Sequence, residues 1–213
     1  MEGERAEAIV LRVQPVTESS LLVTWFTREF GKLKTMAKGA RRPKSPFRGK
    51  IDLFYLDEIV FLHSKRSDLH LLQDCFLENP HQKLRDSVAA LTASSYVCEL
   101  VEAATEPEDA NPRIYELLAT VLGAIERRHH AGLLIWFELQ LLAAAGWAPR
   151  WAAGTGTSKL LGSVAAANLA GAQRVRLSEA QVDSARQTLW RFWDAHVGKV
   201  PRTRRWVLRE IGH

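Results

Sequence analysis

The chain has 213 residues, of which 46% are hydrophobic, and its 29 Lys and Arg against 24 Asp and Glu leave a net charge of +5. That is enough apolar material for one large or two small cores, while no run approaches the roughly 20 apolar residues of a membrane span. Only Cys75 and Cys98 are present, which excludes a disulfide scaffold and a cysteine zinc site.

Up to about Glu78 the signals are those of strands. Ala8 to Val13 is a short β-rich run, and Leu21 to Phe26 sets Leu21, Val23 and Trp25 against Leu22, Thr24 and Phe26. Gly31 turns the chain into a third strand, where a two-residue period places Lys32, Lys34, Met36 and Lys38 on one face and Leu33, Thr35 and Ala37 on the other. The chain then leaves the strand at Gly39 and runs through Arg41, Arg42, Lys44, Arg48 and Lys50, with Pro43 and Pro46 preventing a helix. From Arg28 to Lys50 there are nine Lys or Arg against one acid, Glu29. Binding by charge is therefore expected here. Ile51 to Leu56 and Glu58 to Leu62 continue the strand pattern, and Leu69 to Leu77 places Leu69, Leu71, Cys75 and Leu77 on one face. Five or six short strands suggest a small barrel.

The character changes at Asn79-Pro80. From His81 to about Ala104, Leu84, Val88, Leu91, Ser95 and Cys98 recur at helical spacing. A second helix opens at Asn111 with Pro112 in its first position and carries Ile114, Leu117, Leu118, Val121 and Ile125. A third, Leu133 to Ala145, is apolar almost all round and stops at Gly146, so it is expected to be the most buried. Trp147 to Ala172 is rich in Ala, Gly, Ser and Thr and predicts an irregular loop. Ser178 and Gln181 make a capping box for a helix with Val182, Ala185, Leu189, Phe192 and Trp193 inward, ending near Gly198. A last short helix from Pro201 or Arg202 to Ile211 carries Lys199, Arg202, Arg204, Arg205 and Arg209 in or beside it. The expected domains are thus a barrel over 1–79 and a helical domain over 80–213, with a cysteine-less loop at about 147–175.

Catalytic motifs are weak. Gly154 to Lys159 fails as a phosphate loop because no lysine directly follows its last glycine. His129-His130 ends a helix, where histidine meets exposed carbonyls, and has no further donor nearby for a metal. Glu106, Glu108 and Asp109 form an acidic loop expected to be solvated, and both cysteines lie beside leucines as small hydrophobes. Among the seven tryptophans, Trp136, Trp190 and Trp193 are expected in helix cores and Trp25 in a strand. Trp147, Trp151 and Trp206 near loops could stack on bases. No catalytic residue and no metal ligand is assigned, and the protein is not expected to be an enzyme.

Several segments carry a family resemblance: Ala8 to Leu11 (AIVL), Thr17 to Leu21 (TESSL), Phe26 to Leu33 (FTREFGKL) and, most specifically, Ala37 to Ser45 (AKGARRPKS). With Phe137 to Pro149 (FELQLLAAAGWAP), Leu177-Ser178 and the basic end, the chain resembles the RecO recombination mediators over nearly its whole length. The resemblance implies an α+β, two-domain protein, an N-terminal OB-fold β-barrel followed by a C-terminal α-helical domain. It also implies non-enzymatic binding of single- and double-stranded DNA, annealing of complementary strands, and loading of recombinase together with RecR. It further implies contact with the acidic C-terminal tail of single-stranded DNA-binding protein.

By this route Lys38, Arg41, Arg42 and Lys44 are the DNA candidates; Lys34, Arg48 and Lys50 join them by charge and position. Many members carry a four-cysteine zinc module before the Leu-Ser helix, but Trp151 to Ala172 holds no cysteine, so no zinc or other cofactor is expected. Members often show two arginines before FEL where this chain has Ile135 and Trp136. The tail contact is then expected at Arg127 and Arg128, or at Arg202, Arg204 and Arg205. With Glu2, Glu4 and Arg5 after Met1 and no apolar leader, a cytoplasmic, nucleoid-associated protein is expected. The alternative is a basic scaffold docking acidic protein tails, with DNA contact incidental.

Overall fold

The computed structural model describes residues 3–147, 156–198, 201, 203 and 207. The chain divides into two compact units, one of residues 1–82 with 105–119, the other of residues 83–104 with 120–213.

The first unit is a closed barrel of five strands, β1 (Glu4–Pro15), β2 (Leu21–Thr27), β3 (Gly31–Ala37), β4 (Leu56–Leu62) and β5 (Leu69–Asn79), in the order β1-β2-β3-β5-β4. The β1–β4 pair closes it, and β3–β5 is the parallel pair, with Lys34, Thr35 and Met36 opposite Leu69, His70 and Leu71. This is the OB-fold architecture expected, and closure leaves no sheet edge exposed along the body. Ala6, Ala8, Val10, Val23, Trp25, Leu33, Ile59, Phe61, Leu72 and Cys75 fill it. Inside, the Trp25 indole N–H donates to Thr35 Oγ1 at 2.8 Å, so the polar edge of the largest core side chain is satisfied.

Three details depart from the strand periodicity. Ile51 to Tyr55 is not a strand: Phe54 sits at φ 69, the Tyr55 N–H turns back onto Asp52 O at 3.3 Å, and the Phe54 N–H donates to Val10 O of β1 at 3.0 Å. The inward face of β5 is His70, Leu72 and Cys75, while Leu69 and Leu71 face outward. The cause for Leu69 and Leu71 is the register shift between β4 and β5 at Val60/Phe61, which leaves Gln73 as an extra residue and exchanges the two faces of β5; Leu77 keeps the phase of Cys75 but is 37% exposed. Lys32 is only 8% exposed, which the functional site explains.

In the second unit a 3-10 turn (Gln82–Arg85) precedes α1 (Val88–Ala104). Ser87 starts α1 by accepting the Ala90 N–H at 3.0 Å, so the helix begins later than expected and Val88 is 66% exposed rather than inward. α2 (Pro112–Arg127), whose first half to Ala119 belongs to the first unit, begins as expected, with the Ile114 N–H bonded to Asn111 Oδ1 at 3.2 Å. α3 (Ala131–Ala144) is the central helix, buried from Ala131 through Leu139 and at Leu141 and Leu142. Ile135 and Trp136 lie in that core.

The stretch expected to be an irregular loop at about 147–175 is instead largely helical where described: α4 (Gly156–Ala166) and α5 (Leu169–Ala172). Leu161 and Val164 anchor α4. Two α3 side chains satisfy carbonyls at its end, the Trp136 indole N–H on Ala167 O at 2.8 Å and Gln140 Nε2 on Ala165 O at 2.7 Å. A helix this short and small-sided is held by tertiary partners, which local composition does not reveal. α6 (Glu179–His196) opens with the predicted Ser178/Gln181 capping box and buries Val182, Ala185, Leu189 and Trp193. Trp190, expected in the core, is 42% exposed. Among the described residues no helix is long and apolar enough to cross a membrane.

Candidate nucleic-acid interface

The basic segment after β3 is a series of consecutive turns. Backbone bonds run from Arg42 N to Gly39 O, Ser45 N to Arg42 O, Arg48 N to Ser45 O and Lys50 N to Phe47 O, at 3.0 to 3.2 Å. Gly39 and Gly49 take the positive φ values, 70 and 73, that such turning needs. The array is fastened to the barrel at two points. Phe47, 6% exposed, enters the barrel core, and Arg41 bonds the β1–β2 loop through its N–H to Ser19 O at 3.0 Å and its Nη1 to Thr17 O at 3.1 Å.

The nine cations of the segment now separate. Arg28 pairs with Glu7 at 3.1 Å and with Glu116, and lies 5.3 Å over the Tyr115 ring. Lys32 is covered by the strap Thr105–Asp109, to which it donates through Nζ at Thr105 O while its own carbonyl accepts the Glu108 N–H at 3.0 Å. Lys50, a predicted DNA residue, is half-buried, lies 3.7 Å from Asp74 Oδ1 and sits 5.4 Å over the Phe76 ring. Lys34, Lys38, Arg41, Arg42, Lys44 and Arg48 remain exposed. None of these six is ion-paired with an acid among the described residues. Lys34 and Lys38 extend the array onto the outer face of β3.

Beside Lys38 the surface dips into a groove of about 400 Å³ lined also by Met36, Leu62, His63, Leu69 and Leu71. Its lining is largely aliphatic, with Lys38 as its one lysine and His63, Ser64 and His70 as the other polar members; Lys38 can meet a phosphate beside the aliphatic wall. The β4–β5 loop beside it carries exposed Lys65 and Arg66, which periodicity alone had not singled out.

The other predicted positions lie elsewhere. Arg127 and Arg128 are exposed at the end of α2, beside a recess of about 330 Å³ that also holds Lys83 and His129 but includes Asp86 and Glu126. The two carboxylates offset the charge an acidic tail would seek. Arg202, Arg204 and Arg205, with Trp151 and Trp206, lie outside the described residues.

Two acid–base features were missed. Asp57, fully buried in β4, is pushed up to about 7 by burial and by Glu78, against the Cys75 thiol and Lys50. Its signal was present in the sequence, since Asp57 is in phase with inward Ile59 and Phe61. The second is a cluster of His63, His70 and Glu108, whose donor atoms lie within 4.8 Å of one another. Its spacing would suit a metal, but the Ser64 N–H donates to His70 Nδ1 at 3.1 Å. Neutral His70 must then carry its proton on Nε2, the nitrogen facing Glu108, and an N–H cannot be a ligand. The three do not fit a metal centre.

Two family models match this chain: Recombination protein O N terminal over residues 1–81 and Recombination protein O C terminal over residues 85–160. A DNA repair protein RecO from Salinibacter ruber is 35% identical over 147 residues, covering 68% of this chain and 56% of the relative. The protein of the same name from Rhodopirellula baltica is 32% identical over 143 residues, covering 67% and 53%. One from Listeria monocytogenes is 32% identical over 147 residues, covering 68% and 57%. The chain thus spans about half the length of the curated relatives it matches.

Proposed function

The chain belongs to the RecO family of recombination proteins, and on that premise we propose that it is a DNA-binding recombination mediator acting in repair by electrostatics rather than by bond-making. The observation that carries this reading is the fixed turn array with Lys34, Lys38, Arg41, Arg42, Lys44 and Arg48 exposed and unpaired with acids among the described residues. Six such cations neutralise phosphates on one strand and lower its repulsion for a second, which is the physical requirement for annealing complementary strands. Lys50 plays a structural part through Asp74 and Phe76. The finer activities of the family, loading of recombinase with RecR and contact with the acidic tail of single-stranded DNA-binding protein, belong to the same proposal. For the tail, Arg127 and Arg128 are the candidate positions. The reading includes no zinc, because two cysteines are too few for a four-cysteine module.

The test is fluorescence anisotropy of a labelled single-stranded oligonucleotide across a salt series. Contact with about six phosphates gives a slope of log affinity against log salt of roughly −4, and Arg41→Glu with Arg42→Glu flattens it by about 1.4 or more. A slope unchanged by the double substitution removes the array from the DNA path. Absence of binding at low salt refutes the reading and leaves an acidic protein tail as the partner.

A further inference from the structure

The register of the barrel lays a wall of apolar side chains on the surface beside the turn array. Lys34 pairs with Leu69 and Met36 with Leu71 across β3 and β5, and Leu71 also pairs with Leu62 across β5 and β4. These side chains point outward, because the alternate positions Thr35, His70 and Phe61 are buried. Three strands thus contribute Met36, Leu62, Leu69 and Leu71 to the groove of about 400 Å³. No carboxylate lines it among the described residues. Glu4 and Glu108 lie close by, engaged with His63 at 3.5 and 3.3 Å.

The loop that joins β4 to β5 stands at the end of this wall, and its shape is fixed by its own side chains. The Ser64 N–H donates to buried His70 Nδ1 at 3.1 Å, and the Arg66 N–H to Ser64 Oγ at 3.3 Å. Ser67 Oγ donates to Leu69 O at 3.3 Å and accepts the Leu69 N–H at 3.4 Å. Such bonds order a short loop that has no helix or strand of its own. Within it Lys65 and Arg66 are exposed and unpaired with acids among the described residues, against the single loop acid Asp68. Lys38 borders the groove from β3, with the loop at the opposite end and Lys34 beside Leu69.

Cations alone suffice to hold phosphates, and an aliphatic wall adds nothing to that contact. What the wall can cover is the apolar face of a sugar or base, which a duplex keeps stacked inside and a single strand can turn outward. We propose that the β4–β5 loop and the wall form a single-strand subsite. Lys65 and Arg66 hold phosphates at one end and Lys38 at the other, while Met36, Leu62, Leu69 and Leu71 receive the nucleotides between them. The subsite rests on the proposed function and adds a strand preference to it: the turn array attracts either form of DNA, and the wall favours the unpaired one. Continuity with the array through Lys38 favours DNA over an acidic protein tail as the occupant.

The test is anisotropy of the full chain with a labelled oligothymidylate, which cannot pair with itself, and with a duplex of equal length, each across a salt series. Eight phosphate contacts, six from the array and two from the loop, give a single-strand slope of roughly −5.6. Lys65→Gln with Arg66→Gln is expected to flatten it by about 1.4, to the roughly −4 of the array alone. Leu69→Ser, at an exposed position, is expected to keep the slope, weaken single-strand binding about fivefold and leave duplex binding within about twofold of wild type. A wild-type slope in the loop variant, or equal effects of Leu69→Ser on both forms of DNA, overturns the subsite and leaves the wall to an acidic protein tail. The proposed function survives that result if Arg41→Glu with Arg42→Glu still flattens the slope. Absence of binding to either DNA by wild type refutes both.

Discussion

Replacing Asp57 by Asn tests the energetics of the barrel most sharply. A folded-state pKa raised from 3.8 to about 7 favours the protonated carboxyl, so the stability it contributes is complete below about 3.8 and is lost as pH rises through about 7. At about 1.36 kcal/mol per pH unit, the whole gap is worth about 4 kcal/mol. About 2.5 kcal/mol of it falls between pH 5 and pH 8 by the same linkage. Asn keeps the shape but cannot ionise. Denaturant unfolding of both proteins across that range should therefore show wild type losing about 2.5 kcal/mol relative to Asp57→Asn. His70 and His130, both held below the usual histidine range by burial, lose stability in the opposite direction, as pH falls. They titrate alike in the two proteins and cancel in the difference. Parallel pH profiles would refute the reasoning and mean that the Asp57 carboxylate is solvated or paired in the folded state.

Two further substitutions probe the surroundings of the basic array. Gly31→Ala meets both a positive φ of 66 and the Asp109 carbonyl; it should lower stability by about 2 kcal/mol or more and strip protection from the Glu108 amide, while a neutral effect would mean the strap is not seated there. Lys50→Ala removes a cation already engaged with Asp74 and Phe76, so the salt slope of DNA binding should match wild type, and stability should fall by at most about 1 kcal/mol. A flattened slope would return Lys50 to the DNA path.

What the sequence disclosed was local. The alternation of β2 and β3, the Asn111-Pro112 start of α2 and the Ser178/Gln181 box all depend on neighbours a few residues apart, and each appears in the structure where the pattern placed it. What it concealed was set by distant partners. Lys32 has the same periodic position as Lys34, but a strap some 73 residues further along the chain covers it. Leu69 and Cys75 alternate correctly on paper, and only the β4–β5 register shift at Val60/Phe61 separates them. α4 looked like a loop because its stabilising bonds come from Trp136 and Gln140. His63, His70 and Glu108 share no motif, since two flank a hairpin loop and the third comes from the strap.

The turn array also bears on the kinetics of encounter. Because its backbone is stitched turn to turn and nailed down at Phe47 and Arg41, the cost of ordering it falls on folding and not on association. A flexible basic tail would surrender that entropy at each capture. A rigid one presents its field already assembled, so a passing strand meets charges in place and the rate of capture is governed by diffusion and ionic strength. On the proposed reading, such an array contacts phosphates, which position a strand without conveying its base sequence.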